Sequence, residues 1–362
     1  MAKSIPDGGP PDTQSVDPLT GVIRPAFFIG AIIVAFIALL ILVILACVLS
    51  KTPGRTLFYF FIGPFRNVYS FGNMLNSAAP LILGGLGISI AMQTGNLNLG
   101  GEGQIYAGAF AATITALPLA HLGFFGGLIA ILTGTIFAGS VAAFSGFCKA
   151  KWRTNELISS FLLSNVLILV VNYLVNGPFL DPETNLQSTR KIAAGLRLPL
   201  IMPPSNLSAA LLIAVAFIII VHIFLKRTKL GYEFRMAGSN EIFARYGGIN
   251  TKRNTVISMF LSGALYGLAG ALAVFGTYYG TVKEFSAGLG WNGLAAALIA
   301  GFYPPALIPA SLFLAWIASG ARIAMQNSDM SFELASVVQS VIFFLVTSLI
   351  LRSLFAKKEK RA

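Results

Sequence analysis

The chain has 362 residues, 56% of them hydrophobic and only 10% charged; a soluble domain carries about a quarter charged residues, so the composition excludes an ordinary soluble enzyme and marks a membrane protein. The net charge of +12 does not point to nucleic acid, because the Lys and Arg are dispersed over loops between apolar runs, where they act as topology signals. Cys47 and Cys148 form no CxxC, and His121 and His222 have no acid or thiol at ligand spacing, so neither a disulfide framework nor a metal site is expected.

Residues 1–25 are polar and rich in Pro and Gly and read as a disordered N-terminus. The charge-free run 26–49 is longer than a signal-peptide core and lacks a cleavage site, so it is a retained first span. A span needs about 20 apolar residues. By that measure the remaining candidates are 74–93, 103–120, 123–147, 156–176, 206–226, 255–277, 287–301, 304–321 and 332–352. The expected fold is therefore an all-α polytopic membrane protein of about ten transmembrane helices, a single membrane domain over 26–352. With both termini inside, the inner segments collect Lys149, Lys151, Arg153, the basic stretch 226–253 and the basic tail 353–362, as the positive-inside rule requires. Residues 51–73, aromatic and broken by Gly and Pro, read as an interfacial segment on the outside. Residues 177–205 form a long external loop, either functional or a loose connection.

The stretch "GNLNLGGEGQIYAGA", Gly95 to Ala109, concentrates amides, glycines and an acid within apolar sequence. A charge at the bilayer centre costs about 2.5–3.5 kcal/mol on insertion scales, so Glu102 must face protein or water. It stabilises a helix N-terminus beside the pathway, touches the solute, or couples protons; for the last no second intramembrane acid or histidine offers a relay. Leu99-Gly100-Gly101-Glu102-Gly103 echoes Leu289-Gly290-Trp291-Asn292-Gly293, and each opens a short Gly/Ala-rich span of opposite direction. Two inverted five-helix repeats would produce such a pair, and broken helices at paired positions point to the path. The candidate path residues are Asn96, Asn98, Glu102, Gln104, Trp291 and Asn292. Trp291 either stacks on a planar base or anchors at an interface. Asn165 and Asn172, seven apart, share one helical face and either line a pore or bond a neighbouring helix.

In 226–253, Tyr232–Ala237 make one or two helical turns broken by Gly238. Ser239 then caps a second short helix with Glu241 in its first turn, ending at Gly247-Gly248. On its residues alone this is either a docking element or an amphipathic loop on the lipid surface. "GYEFRMAGSNEIFARYGGI" followed by "SMFLSGALYGLAGALAVFG" resembles the coupling region of permease subunits of ATP-binding-cassette importers for nucleosides, simple sugars and branched-chain amino acids. "NLNLGGEGQIYAGAFAA" and "GLGWNGLAAALIAG" are similar to motifs of the same family, and "NELISSFLLSNVLILVVNYLVNGPFLDP" looks most like its nucleoside branch.

The resemblance spans about residues 74–350. It implies that Gly231, Arg235, Gly238, Asn240, Ala244 and Gly247 dock short cytoplasmic coupling helices into an ATPase subunit. It further implies a second permease subunit, identical or homologous, with the path between the two, an external substrate-binding protein, and residence in the bacterial inner membrane. No G-x-x-x-x-G-K-[ST] and no catalytic constellation occurs, so the chain is expected to be no enzyme and to hold no cofactor, with ATP and Mg on the partner ATPase. The implied cargo is a nucleoside, with riboflavin or a simple sugar as alternatives within the family. An ion-coupled secondary transporter and a passive channel are the rivals outside it.

Overall fold

A polar side chain marks the start of helix after helix. In a computed structural model that describes residues 50–329, and beyond them only Phe36, Leu40, Val43, Ile44 and Ser340, Asn67 accepts from Ser70 N–H at 2.7 Å and opens helix α2 (Val68–Gln93). Asn155 does the same for α5 (Glu156–Asn176), and Asn250 for α9 (Thr251–Ala273). Each supplies an acceptor to a backbone donor that the helix itself cannot satisfy. The remaining helices are α1 (Pro53–Phe61), α3 (Gly101–Ala116), α4 (Gly123–Trp152), α6 (Ala210–Arg227), α7 (Lys229–Ser239), α8 (Glu241–Tyr246), α10 (Leu289–Ile299) and α11 (Leu307–Asn327). The described residues contain isolated backbone bridges and no strand.

Among the described residues, six helical segments are long and apolar enough to cross a membrane: Val68–Gln93, Ala120–Trp152, Glu156–Asn176, Ala210–Arg227, Thr251–Tyr278 and Pro304–Asn327. Two expected spans fall short. α3 has 16 residues and α10 only 11. Each follows a non-helical approach, 94–100 and 279–288. The expected disordered N-terminus, first span, tenth span and basic tail lie outside the described residues.

Of these six segments, α2 and α9 are the most buried, while α4, α5 and α6 turn large apolar side chains such as Phe125, Leu169 and Ile219 outward. Where α3, α4 and α9 cross, glycines replace side chains. A Cβ on Gly267 of α9 would lie 2.7 Å from the Gly134 carbonyl oxygen of α4, and one on Gly108 of α3 would lie 2.5 Å from Gly267 Cα. Small residues of this kind let backbones meet where lipid provides no hydrophobic drive to associate.

The loop 177–205 is not a loose connection. Thr189 donates to Thr281, Ile192 to Tyr279 and Leu198 to Phe275, all backbone to backbone at 2.8–3.0 Å. The loop thus runs along the end of α9 and the approach to α10 and fixes both.

The far ends of the described chain are also joined. The Asp329 carboxylate accepts from Ser50 Oγ at 2.7 Å, from Thr52 Oγ1 at 2.8 Å and from Lys51 N–H at 2.5 Å. These bonds, Ser50 first, hold its pKa well below the usual carboxylate range. A depressed native pKa stabilises the fold above the unfolded value and ceases to do so as pH falls through the native one. Asp329→Asn is therefore expected to lower thermal stability in detergent by an amount that is constant above about pH 4. The deficit should shrink only in stronger acid; one that vanishes already near neutrality would exclude this contact as its source.

Candidate functional site

The two short helices begin at the same place. A Cβ on Gly290, in the first turn of α10, would overlap the backbone nitrogen of Glu102, in the first turn of α3. The two segments with echoing sequence lie directly against each other. From that point α3 runs toward the end where Thr113 meets Thr281, and α10 toward the end where Tyr303 approaches Lys226. Two positive helix termini abut inside the bundle, and Glu102 is the charge between them. Its Oε1 accepts from Gly288 N–H at 2.9 Å and its Oε2 from Gly290 N–H at 2.8 Å. Glu102 lies in the first turn of its own helix and at the same time binds the backbone of the other.

The amides that flank Glu102 are internally satisfied. Asn98 and Gln104 form a reciprocal pair, Nδ2 to Oε1 at 2.8 Å and Nε2 to Oδ1 at 3.1 Å, and Asn98 also donates to Ser262. Asn96 donates to Thr94 at 2.6 Å and accepts from Lys149 Nζ at 2.7 Å, while Lys149 pairs with Glu156 at 2.7 Å. Asn96, Asn98 and Gln104 are all buried. Ser160 and Ser164 of α5 accept from Leu99 and Gly103 N–H. Side chains thus replace the helical hydrogen bonds that the break removes, as buried irregular backbone requires.

A cavity of about 720 Å³ lies on one side of this junction. Its polar lining includes Asn73, Asn76 and Ser77 of α2, Thr277 and Tyr278, Asn292 and Arg322 of α11. Thr277 and Tyr278 belong to a π-helical turn, Val274–Tyr278, that ends α9. Such turns recur at functional sites because they re-aim side chains. Asn76 Nδ2 donates to Thr277 Oγ1 at 2.9 Å and fixes the turn to α2. On the other side of the junction Trp291, 38% exposed, packs edge-on against Phe161. Nearby, Asn172 accepts from Tyr106 and donates to the exposed Glu284.

Of the residues singled out in the sequence, only Asn292 lines the cavity. Trp291 faces away from it, Asn96, Asn98 and Gln104 hold the break, and Glu102 joins the two short helices. Asn165 bonds its own helix, to Phe161 O, whereas Asn172 reaches α3 and the 279–288 segment. Asn73, Asn76, Thr277 and Arg322 carried no motif; they lie on three segments that only the fold assembles.

The 226–253 segment forms two short helices, with two corrections. Gly238 does not break the first: α7 starts at Lys229, capped by Thr228, and continues through Gly238 to Ser239. Gly238 sits against the turn after α2, and a Cβ there would overlap the Gln93 carbonyl. The cap of α8 is Asn240 rather than Ser239, accepting from Phe243 N–H at 2.9 Å. Gly231 and Ala244 are buried, and Gly247 follows α8 directly. Arg235 keeps a buried Nη1 without a partner among the described residues. Tyr246, Ile242 and Phe243 are strongly exposed.

Among known protein families, residues 70–347 match the permease component of branched-chain amino acid transport systems. A probable riboflavin import permease protein of Treponema pallidum (strain Nichols) is 34% identical over 320 residues, covering 86% of this chain and 82% of that protein. A guanosine ABC transporter permease protein of Bacillus subtilis (strain 168) is 28% identical over 306 residues, covering 83% and 87%. A glucose ABC transporter permease protein of Haloferax volcanii is 28% identical over 306 residues, covering 80% and 79%. No solved structure matches.

Proposed function

The chain belongs to the permease family of branched-chain amino acid transport systems, and on that premise we propose that it is the membrane-spanning permease subunit of an ATP-driven importer for a nucleoside or a related small solute. The observation that carries the reading is the meeting of α3 and α10 at Glu102 beside a polar cavity. Short helices whose termini meet inside a bundle are a recurrent way to build a solute site. The cavity lining is rich in amides and hydroxyls and poor in charge, which suits a near-neutral solute. The relatives named for riboflavin, guanosine and glucose bracket that class.

In this reading Asn96, Asn98, Glu102 and Gln104 maintain the break in the path, and Asn292 meets the solute. Trp291 and Glu284 face a second permease subunit, because an exposed acid and irregular backbone at membrane depth require cover by protein or water. A separate ATPase, carrying ATP and Mg, docks on α7 and α8, with both termini on the same cytoplasmic side, and a binding protein delivers solute outside. Gly238 against the turn that leads into the break connects the docking helices to the site.

Arg235→Glu, or deletion of 238–246, is expected to leave the chain in the membrane while ATP hydrolysis no longer drives uptake. Uptake and ATPase rate, measured on the transporter purified with its ATPase, check this. Normal ATP-driven uptake by either variant would defeat the proposed coupling.

A further inference from the structure

Among the described residues, the cavity lining holds one cation, Arg322, and no anion, and no Asp or Glu forms an ion pair with it. It stands near the end of α11, where an arginine ordinarily extends to the headgroups as an anchor. Arg322 instead crosses to α2 and donates from Nη2 to Ser77 Oγ at 3.1 Å. One hydrogen bond to a hydroxyl leaves most of its five donors free at the cavity lining, with the side chain open to solvent. Asn292, at the first turn of α10, also lines the cavity, and its side chain makes no hydrogen bond among the described residues. Tyr278 and Phe285 add aromatic surface, their rings 5.0 Å apart.

A guanidinium is a planar fork that matches two neighbouring acceptor oxygens, and a flat solute lies well against aromatic rings. We infer that the cavity recognises a flat solute whose edge carries two neighbouring acceptor atoms, gripped by Arg322 and completed by Asn292. The inference rests on the permease reading and names the cargo class within it. It assigns selectivity to Arg322 and disfavours a saturated sugar, which has neither the plane nor the paired planar acceptors. A site built to hydrogen-bond such an edge loses far more on meeting a solute without it than an apolar pocket would, because its donors are left unpaired.

The full chain, purified in lipid nanodiscs, is titrated with guanosine (adjacent acceptors O6 and N7), riboflavin (O4 and N5) and glucose by calorimetry. Guanosine or riboflavin should bind and glucose should bind at least tenfold more weakly. Arg322→Gln should weaken binding of the carbonyl-edged solute at least tenfold. Arg322→Lys, which keeps the charge and loses the fork, should fall between the two and serves as the second variant if the first does not fold. Equal binding of glucose, unchanged affinity in both folded variants, or no binding of any of the three overturns the inference. The permease reading is tested apart from it, by uptake of the same solutes in host cells with and without the gene. Uptake that depends on the gene leaves that reading standing whatever the titration gives.

Discussion

Glu102→Ala is expected to lower stability by about 3 kcal/mol and to reduce uptake to background. A hydrogen bond to a charged group contributes about 1.5–3 kcal/mol, and each donor left buried without a partner carries its own desolvation penalty. Glu102 accepts two such bonds, from Gly288 and Gly290. Its removal leaves both N–H groups unpaired at the start of α10 and two positive helix ends facing each other without a counter-charge. Glu102→Gln keeps one acceptor but turns an amide N–H toward one of the two donors, so an intermediate loss is expected. Glu102→Asp keeps the charge and loses reach. Melting of the purified variants in detergent, followed by fluorescence, orders them wild type, Gln, Ala. An alanine variant that melts and transports like the wild type would mean that the carboxylate does not join the two helices.

The second large effect is expected at the crossing of α3, α4 and α9. Gly267→Leu would put a side chain where a Cβ alone already lies 2.5 Å from Ala138 Cβ and 2.7 Å from the Gly134 carbonyl. Backbone cannot swing aside as a side chain can, so the helices must part. Overpacking typically costs about 1–3 kcal/mol, and a leucine against two backbones belongs at or above the upper end. Little protein should reach the membrane, and what does should elute as aggregate on gel filtration. Gly267→Ala should be milder. Gly54→Leu and Gly195→Leu, where nothing lies within 4 Å of the added Cβ, are the controls and should behave like the wild type. Equal yields for Gly267→Leu and the controls would show that this crossing tolerates separation.

The long apolar helices were legible because hydrocarbon enforces length and composition. Glu156–Asn176 coincides with the span expected at 156–176. The break at Gly95–Glu102 was legible too, since polar residues amid apolar ones must be accounted for. The partner of Glu102 was not. Its bonds go to backbone N–H groups 186 and 188 residues away, and every residue except proline offers the same donor. Gly238 misled for a related reason. Glycine disfavours a helix interior by about 1 kcal/mol, and only the fold shows the Gln93 carbonyl pressed against that position, which excludes any larger residue. Asn76, Thr277 and Arg322 could not be grouped from sequence, because the cavity they share is closed by a π-turn that has no compositional sign.

The junction at Glu102 also bears on how such a chain can change over generations. A carboxylate that binds backbone has no side-chain counterpart to drift with. Substitution at 102 cannot be rescued by a matching swap at 288 or 290, as it could in a pair of oppositely charged side chains. The two halves are thereby locked by size and reach alone, an acid on one and residues small enough to admit it on the other. Lineages are free to retune the cavity at Asn292 or Arg322, while the hinge between the two half-length helices has to be inherited unchanged.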